Sequence, residues 1–419
     1  MKTILLIQPL NYKPSILESL FYSAPASIKI LKEITPPDYS VRVIRTTSSS
    51  NLPIKNISIV GITTLTMTAN LAYRISEKYS KLGIPVILGG IHVSALPNEA
   101  KKFCASVVVG EVESVWKKVL QDYKTNSLNK IYFGKNCNNL SVPKIDNKLL
   151  EIASIQTSRG CPHSCDFCSV SVINGLRIRH ASIQKIIENL KNINGMFKKY
   201  FIFTDDNIIS NRKYAINLFK ELKKLNKRWI AQAPIELGDD EYLLNLAYNA
   251  GLRLVFIGLE NLDESSSFSC SKKVNIKKYK RCIKNIREKG ILIFGCFIYG
   301  LDNTKINSYF NDLSSFLEIT KLPFIRVSPL IRYPGSKIFD EKNKYYLNKR
   351  YKGIYNQFTE GELQKINYFE NDFYSLSSIY LRSKNQPSFK YKIYFWILSI
   401  LFRTHVRSST LLRGKYYES

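Results

Sequence analysis

The feature that most limits the fold is an alternation of short apolar runs with longer amphipathic stretches, repeated from the N-terminus to about residue 330. Nearly continuous runs of Ile, Val and Leu stand at 4–7, 41–44, 57–63, 86–88 and 107–109. Such runs suit strands buried on both faces of a parallel sheet. The stretch 70–81 has helical character and stops at Gly83, a common way to end a helix. The pattern predicts a doubly wound, Rossmann-like α/β domain over 1–130, a fold that takes ligands at the carboxyl ends of its strands. A linker is expected over 131–150, where 134–141 is polar and rich in Asn and Lys. Six more strand-like runs follow at 152–157, 200–203, 228–233, 254–257, 291–298 and 324–330. Between them, Ile183, Ile186, Ile187, Leu190 and Ile193 make one helical stripe with Ser182 as N-cap. Gly251 and Gly290 punctuate later passages from helix to strand.

Composition removes several classes. At 45% hydrophobic and 12% aromatic residues the 419-residue chain can bury a core and is not disordered. Eight cysteines in that length are not a disulfide framework. The opening MKTILLIQPL is broken by Gln8 and Pro9 and lacks a small-residue cleavage site, so it reads as a buried strand and not as a signal peptide. A cytoplasmic protein is expected. The net charge of +29 is spread over the whole chain, with no arginine-rich arm and no aromatic-basic recognition motif. Nucleic acid is therefore not an expected partner.

The chemistry concentrates in 158–169, SRGCPHSCDFCS, where Cys161, Cys165 and Cys168 have the spacing CxxxCxxC. Three thiolates on one tight loop can hold three corners of a [4Fe–4S] cluster, which normally takes four. The fourth iron is then open to an outside molecule, as a reactive metal site requires. Competing readings are a zinc knuckle, with His163 as fourth ligand, or three separate buried thiols. Zinc sites usually pair CxxC or Cys/His elements, and chance does not favour three buried thiols at this spacing. The motif, with Phe167 just before its last cysteine, resembles the radical S-adenosylmethionine (SAM) superfamily. That resemblance implies SAM chelated at the open iron and a partial (β/α)6 barrel over 151–340 whose first strand leads into the cysteine loop. It further implies that Asp205 or Asp206, in the TDDN stretch after the second barrel strand, receives the SAM amino group. Glu260 would receive the ribose or methionine moiety, and Phe167 would lie against adenine. Each carboxylate could equally be a helix N-cap or first-turn charge.

Three stretches of the first domain resemble the cobalamin-binding domain that precedes many radical SAM domains. They are VGITTL (60–65), GGIHVSALPNEA (89–100) and VVVGEVESVW (107–116). The resemblance implies a hydroxyl from Thr63 or Thr64 beside Leu65. It implies close approach of a nucleotide tail at Gly89 and Gly90, and contacts from Gly110 and Glu111. The DxHxxG motif that gives some cobalamin proteins an axial histidine is absent, and His92 follows a later strand with no axial role. Cobalamin is therefore expected to bind without a protein histidine. The competing reading is a flavodoxin-like domain that only packs on its neighbour.

Arg326, Arg332 and Tyr333 fall at or beyond the last barrel strand, in RVSPLIRYPGS, whose YPGS turn resembles a segment closing that end of the barrel. Asp302 ends the fifth barrel strand. Cys104, Cys137, Cys270, Cys282 and Cys296 show no spacing of a second cluster. The region 341–419 is expected to be a mostly helical tail. Its stretch 391–402, YKIYFWILSILF, is too short to span a bilayer and has basic flanks. It suits either a peripheral membrane contact or a helix packed on the barrel.

The resemblance implies a cobalamin-dependent type of radical SAM enzyme. It would cleave SAM reductively to a 5′-deoxyadenosyl radical and methylate an unactivated carbon of a lipid or other secondary metabolite. A cytosolic electron donor such as flavodoxin or ferredoxin is implied with it. The alternatives are a radical SAM cyclase or rearrangement enzyme without cobalamin, and a basic RNA- or membrane-binding protein with a structural metal site.

Overall fold

A computed structural model describes residues 2–14, 25–145, 149, 151–265, 274–301, 305–339, 358–384, 392, 395–400 and 402–403. Asp302, Cys270 and most of the flanks of the 391–402 stretch lie outside them.

The first sheet contains β1 (Lys2–Pro9), β2 (Tyr39–Thr46), β3 (Ile57–Thr63), β4 (Val86–Gly89), β5 (Ser106–Gly110) and β6 (Ile131–Gly134) in the order β2-β1-β3-β4-β5-β6. Every pairing is parallel. Alternate side chains of each strand feed two cores, as expected of a sheet covered on both faces. Leu5, Ile7, Val60 and Ile62 pack on the helix Ala69–Lys81. Ile4, Leu6 and Ile59 pack on the helices Ala26–Ile34 and Trp116–Lys124. The direction of winding reverses between β1 and β3, which makes their carboxyl ends the natural ligand crevice. β6, at the start of the expected linker, extends the first sheet by pairing with β5. Only Tyr132 of this short edge strand is buried, so its sequence pattern is weak.

The second sheet has the order β14-β13-β12-β11-β10-β7. Its strands are β7 (Ala153–Ile155), β10 (Tyr200–Phe203), β11 (Arg228–Gln232), β12 (Leu252–Glu260), β13 (Leu292–Tyr299) and β14 (Phe324–Pro329). All pair in parallel and in chain order, the topology of a partial barrel. On one face Phe201, Phe203, Trp229, Val255, Ile257 and Ile293 pack on the connecting helices. Ile186 and Leu190 are the buried residues of the helix Ile183–Lys191, with Ile183 and Ile187 packed beside them, while Ile193 is buried just past its end and the Ser182 side chain makes no cap hydrogen bond.

The opposite face is filled by the C-terminal region. Leu254, Leu292, Phe294 and Phe324 pack against Tyr374, Ile379 and Phe395. The helix Glu360–Phe373 and the tyrosine after it also seal the open edge of the sheet. Tyr374 donates to Ile325 O at 2.8 Å and accepts from Ile325 N at 3.1 Å, and Glu370 accepts from Val327 N at 2.8 Å. An unpaired strand edge would otherwise invite pairing with another chain. Phe395 stacks on Phe324 and Phe402 meets Phe294, so this part of 391–402 is a packed helix. Ile397 and Ile400 of the same stretch are exposed. Among the described residues no helix is long and apolar enough to cross a membrane.

Candidate functional site

After β7 the chain enters β8 (Ser158–Arg159), then the cysteine loop and the helix Val170–Asn174, and returns as β9 (Arg179–His180), which pairs with β8 in a short antiparallel ribbon. Gly160 enters that loop at φ +96°, and a Cβ there would collide with the Arg177 carbonyl. Only glycine lets the ribbon lie that close. Cys161 N donates to Gly175 O at 3.2 Å, and Cys168 N donates to Cys165 O at 3.1 Å. The loop is thus fastened at its start and turned tightly at its end. All three cysteines are partly exposed and none is in a disulfide. Burial, with Cys165, Asp206 and Cys161 nearby, pushes the Cys168 thiol up to about 11. Phe167 is half-buried on the same turn.

Among the described residues no group of three His, Cys, Asp or Glu side chains closes around a single ion. That does not count against a cubane cluster, whose thiolates bind different irons and stand farther apart. The donor set of three thiols suits soft iron–sulfur ligation, and metal binding would draw off their protons.

The two aspartates after β10 have different roles. Asp205 is fully buried and accepts from Thr157 N at 3.0 and 3.1 Å, Thr157 Oγ1 at 2.8 Å and Ser158 Oγ at 2.5 Å. Burial pushes its carboxyl up to about 6, against the pull of these hydrogen bonds. It ties the end of β10 to the root of the cysteine loop, so its side chain is already spent. Asp206 is the solvent-exposed member, stands close enough to raise the Cys168 thiol, and has its own pKa raised by desolvation. Exposed area and desolvation agree if the carboxylate opens into a concave cleft crowded by protein atoms.

Glu260 ends β12 with φ +59°, and its side chain folds back over Gly258, where a Cβ would strike its carboxylate. Burial raises its carboxyl to about 7. It lies near Cys296, whose thiol is raised to about 12 by burial and by Glu260. Gly258, Cys296 and Arg326 are lateral neighbours on β12, β13 and β14. Arg326 pairs with the buried Glu370 at 3.3 Å. Arg332 is exposed. The YPGS turn does close this end: Ile338 N donates to Asp166 O at 3.2 Å and Lys337 Nζ to Ser164 O at 2.9 Å.

The carboxyl edge of the first sheet is made of small residues. Gly90 has φ +102°, and a Cβ on it would lie 2.6 Å from Thr64 N, 2.7 Å from Thr64 O and 3.2 Å from Thr63 Oγ1. Thr64 is fully buried, yet among the described residues its hydroxyl has no hydrogen-bond partner. The side-chain oxygen of Gln8, at the end of neighbouring β1, is also buried and unpaired. Such orphans are uncommon and ask for an explanation. A cavity lined by Gly61, Thr63, Gly89, Gly90, Ile28, Leu31 and Trp116, among others, opens at this edge. The glycine-lined crevice at the winding reversal is where this fold takes a ligand, and the Thr64 and Gln8 oxygens are buried outside its lining. Leu65 is exposed beside it.

His92 is buried in a network with Thr66, Tyr73 and Glu99 and does not reach this edge's crevice lining. Glu111 is also committed elsewhere. Its carboxylate meets Arg179 at 2.5 Å and Arg159 at 3.4 Å, and accepts from Cys137 N at 2.7 Å. Burial opposes the charge, yet these partners hold the carboxyl below its ordinary value. The sequence reading missed Gln8, Arg159 and Arg179. In the sequence Gln8 is a break in an apolar run, and an arginine two residues before Cys161 carries no distinctive spacing.

A second cavity lies between the domains, lined by Lys29, Ser141, Ser154, Gln156, Ile202 and Thr204 among others. Lys29, on the helix Ala26–Ile34, donates to Ser154 Oγ of β7 at 3.3 Å, so the first domain helps wall the barrel.

Residues 155–309 match the model of the radical SAM superfamily. That segment therefore carries a radical SAM domain match, and a parallel α/β domain precedes it in the chain. The chain is 26% identical over 435 residues to bacteriochlorophyllide d C-12(1)-methyltransferase of Chlorobaculum tepidum, covering 98% of this chain and 94% of that one. It is 26% identical over 360 residues to the C-8(2)-methyltransferase of the same organism, covering 79% and 77%. Its fold is similar to that of the radical SAM methyltransferase TsrM from Kitasatospora setae, solved with cobalamin and a [4Fe–4S] cluster. The TM-score is 0.64 at 16% identity, over 80% of this chain and 77% of that one.

Proposed function

We propose that this chain is a cobalamin-dependent radical SAM methyltransferase that methylates an unactivated carbon of a lipid or other secondary metabolite, with the ring-bearing substrates named for its relatives as the nearest guide. The observation that carries the reading is the meeting of two carboxyl strand edges, one with a cysteine loop and one with a glycine cradle, joined by buried ion pairs. In this reading Cys161, Cys165 and Cys168 hold the [4Fe–4S] cluster. Asp206, Glu260 and Phe167 contact SAM, while Asp205 positions the loop. Thr63, Thr64, Leu65, Gly89, Gly90 and Gly110 border the cobalamin, with Gln8 added and Glu111 at its margin. When bound, these groups supply a 5′-deoxyadenosyl radical and a transferable methyl.

The protein's own work is to orient those groups and exclude water. The desolvated Glu260 is suited to accept hydrogen bonds from hydroxyl or ammonium groups, because bringing such a donor to it relieves its burial. The cavity at Lys29, Ser154 and Thr204 is the proposed entry for substrate, between the two domains. The division at 134, 151 and 340 follows from the same reading, with 341–419 as barrel plug and tail. A cytoplasmic setting, with flavodoxin or ferredoxin as electron donor, completes it. Ile397 and Ile400, exposed beside Lys392 and Arg403, are where a peripheral membrane contact would form.

The test is anaerobic reconstitution with iron and sulfide, then hydroxocobalamin, desalting and visible spectroscopy, followed by SAM and reductant with detection of 5′-deoxyadenosine. About one cobalamin per chain without a histidine signature supports methyl transfer. A loaded cluster with no cobalamin transfers the reading to ring formation or rearrangement. Cys165→Ala is expected to abolish SAM cleavage, and survival of cleavage would sink the ligand assignment.

A further inference from the structure

Four charged side chains join the two sheets. Arg159 meets Glu113 at 2.7 Å and Glu111 at 3.4 Å, and Arg179 meets Glu111 at 2.5 Å. Their side chains are 11%, 8%, 8% and 4% exposed for Arg159, Glu113, Glu111 and Arg179. Two positive and two negative charges therefore sit together largely out of water. Both arginines come from the ribbon, where Arg159 and Arg179 are register partners, so the two guanidinium groups flank Glu111 from facing strands. Arg179 also donates to Cys137 O at 3.2 Å and Asn174 O at 2.9 Å. Glu111 Oε2 receives Cys137 N, so the linker is threaded through the same cluster.

Position gives the cluster its meaning. Glu111 directly follows Gly110, the last residue of β5 at the carboxyl edge of the first sheet. Arg159 stands two residues before Cys161, and its neighbour Ser158 is held by Asp205 beside Asp206. A rigid path thus runs from the glycine-cradle edge, through two ion pairs, to the root of the cysteine loop and the end of β10. Buried ion pairs are poor sources of net stability but strict in geometry. Each arginine meets the carboxylates through Nη1 alone, and Arg179 Nη2 is taken by Asn174 O, so the contacts carry directional demands that an apolar interface would not.

We propose that Glu111, Glu113, Arg159 and Arg179 form a spacing clasp, a set of positioning residues that fixes the separation between the carboxyl edge of the first sheet and the cysteine loop. It rests on the reading that the first sheet holds cobalamin and the loop a cluster. The clasp acts on neither group directly. It sets how far apart they stand, which methyl transfer between them and a common substrate requires.

The test needs no substrate. Reduced [4Fe–4S] and cob(II)alamin each carry one unpaired spin, and their mutual coupling in electron paramagnetic resonance falls steeply with separation. The full-length protein, loaded with cluster and hydroxocobalamin and reduced with dithionite, is expected to show that coupling. Glu113→Gln should bind both groups at full stoichiometry yet lose resolved coupling. Amide hydrogen exchange should then rise together at 110–114 and 158–161. Glu113→Asp keeps the charge and should recover most of the coupling, and it carries the test if the Gln variant does not fold. Unchanged coupling in a variant whose two segments exchange faster would overturn the clasp. A wild-type protein with a cluster but no cobalamin would overturn the proposed function instead. The clasp would then stand only if the two segments still open together in Glu113→Gln, and independent opening would overturn it too.

Discussion

The two carboxyl strand edges obey one topological rule and use opposite chemistries. The first sheet ends in Gly89, Gly90, Thr63 and Thr64, a surface shaped by missing side chains and by polar atoms left without partners. The barrel ends in thiols and carboxylates, and its key aspartate is saturated with four hydrogen-bond contacts before any ligand arrives. One edge is a space waiting for a large molecule, and the other is a preorganised set of charges. The lesson is that a cradle and a reactive site can be built from the same parallel-sheet scaffold by choosing which atoms are satisfied internally.

If the first edge is a steric cradle, filling it should do most damage there. Gly90→Ala forces a Cβ to within 2.6 Å of Thr64 N at a φ that L residues avoid. A loss of about 2–3 kcal/mol in unfolding free energy is expected. Urea titration measures it, and cobalamin retention should vanish while iron content stays. Equal loss of iron would erase the contrast between the edges.

At the other edge, Asp205→Ala strips acceptors from Thr157 and Ser158. Leaving a buried donor unpaired costs about 1–3 kcal/mol. The expected outcome is destabilisation of that size with weakened iron retention but unchanged cobalamin binding. Cobalamin loss instead would mean that the clasp and not the loop depends on Asp205.

Glu260 gives a pH test. Its folded carboxyl is raised from 4.5 to about 7, so its contribution to stability is present below pH 4.5 and is lost as pH rises through 7. Asp205, raised from 3.8 to about 6, acts with the same sign. Glu260→Gln should flatten the fall in urea midpoint between pH 4.5 and 7 relative to wild type. Identical slopes would mean that Glu260 is not desolvated.

The smallest effect belongs to Thr64→Val, which replaces an orphaned hydroxyl by a methyl. Without ligand the variant should gain up to about 1 kcal/mol, and cobalamin should bind more weakly. Lower stability without ligand would show that the hydroxyl has a partner after all.

Much of this was legible in the sequence because each element announces itself locally. The strand runs at 57–63 and 200–203 coincide with β3 and β10, since continuous β-branched runs have few alternatives. The cysteine loop was legible because ligation demands fixed spacing. β6 was not, because an edge strand with one buried residue leaves no pattern. Nor was the difference between Asp205 and Asp206, adjacent residues of one type. Only the paths of β7 and β10 decide which faces inward. The 391–402 stretch was ambiguous for a related reason: apolarity says that a face is covered, not by what.

The sequence by itself determined the two strand–helix series, the cysteine spacing 161/165/168 and the glycines at Gly90 and Gly160, all properties of near neighbours along the chain. Tertiary structure alone decided that Glu111 pairs with Arg159 and Arg179, that Asp205 is a tether, and that Glu370 and Tyr374 seal the barrel edge. The physical reason is desolvation. A charge far from its partner in sequence has no cost until folding removes its water, and which partner then answers depends on distances that no local pattern encodes.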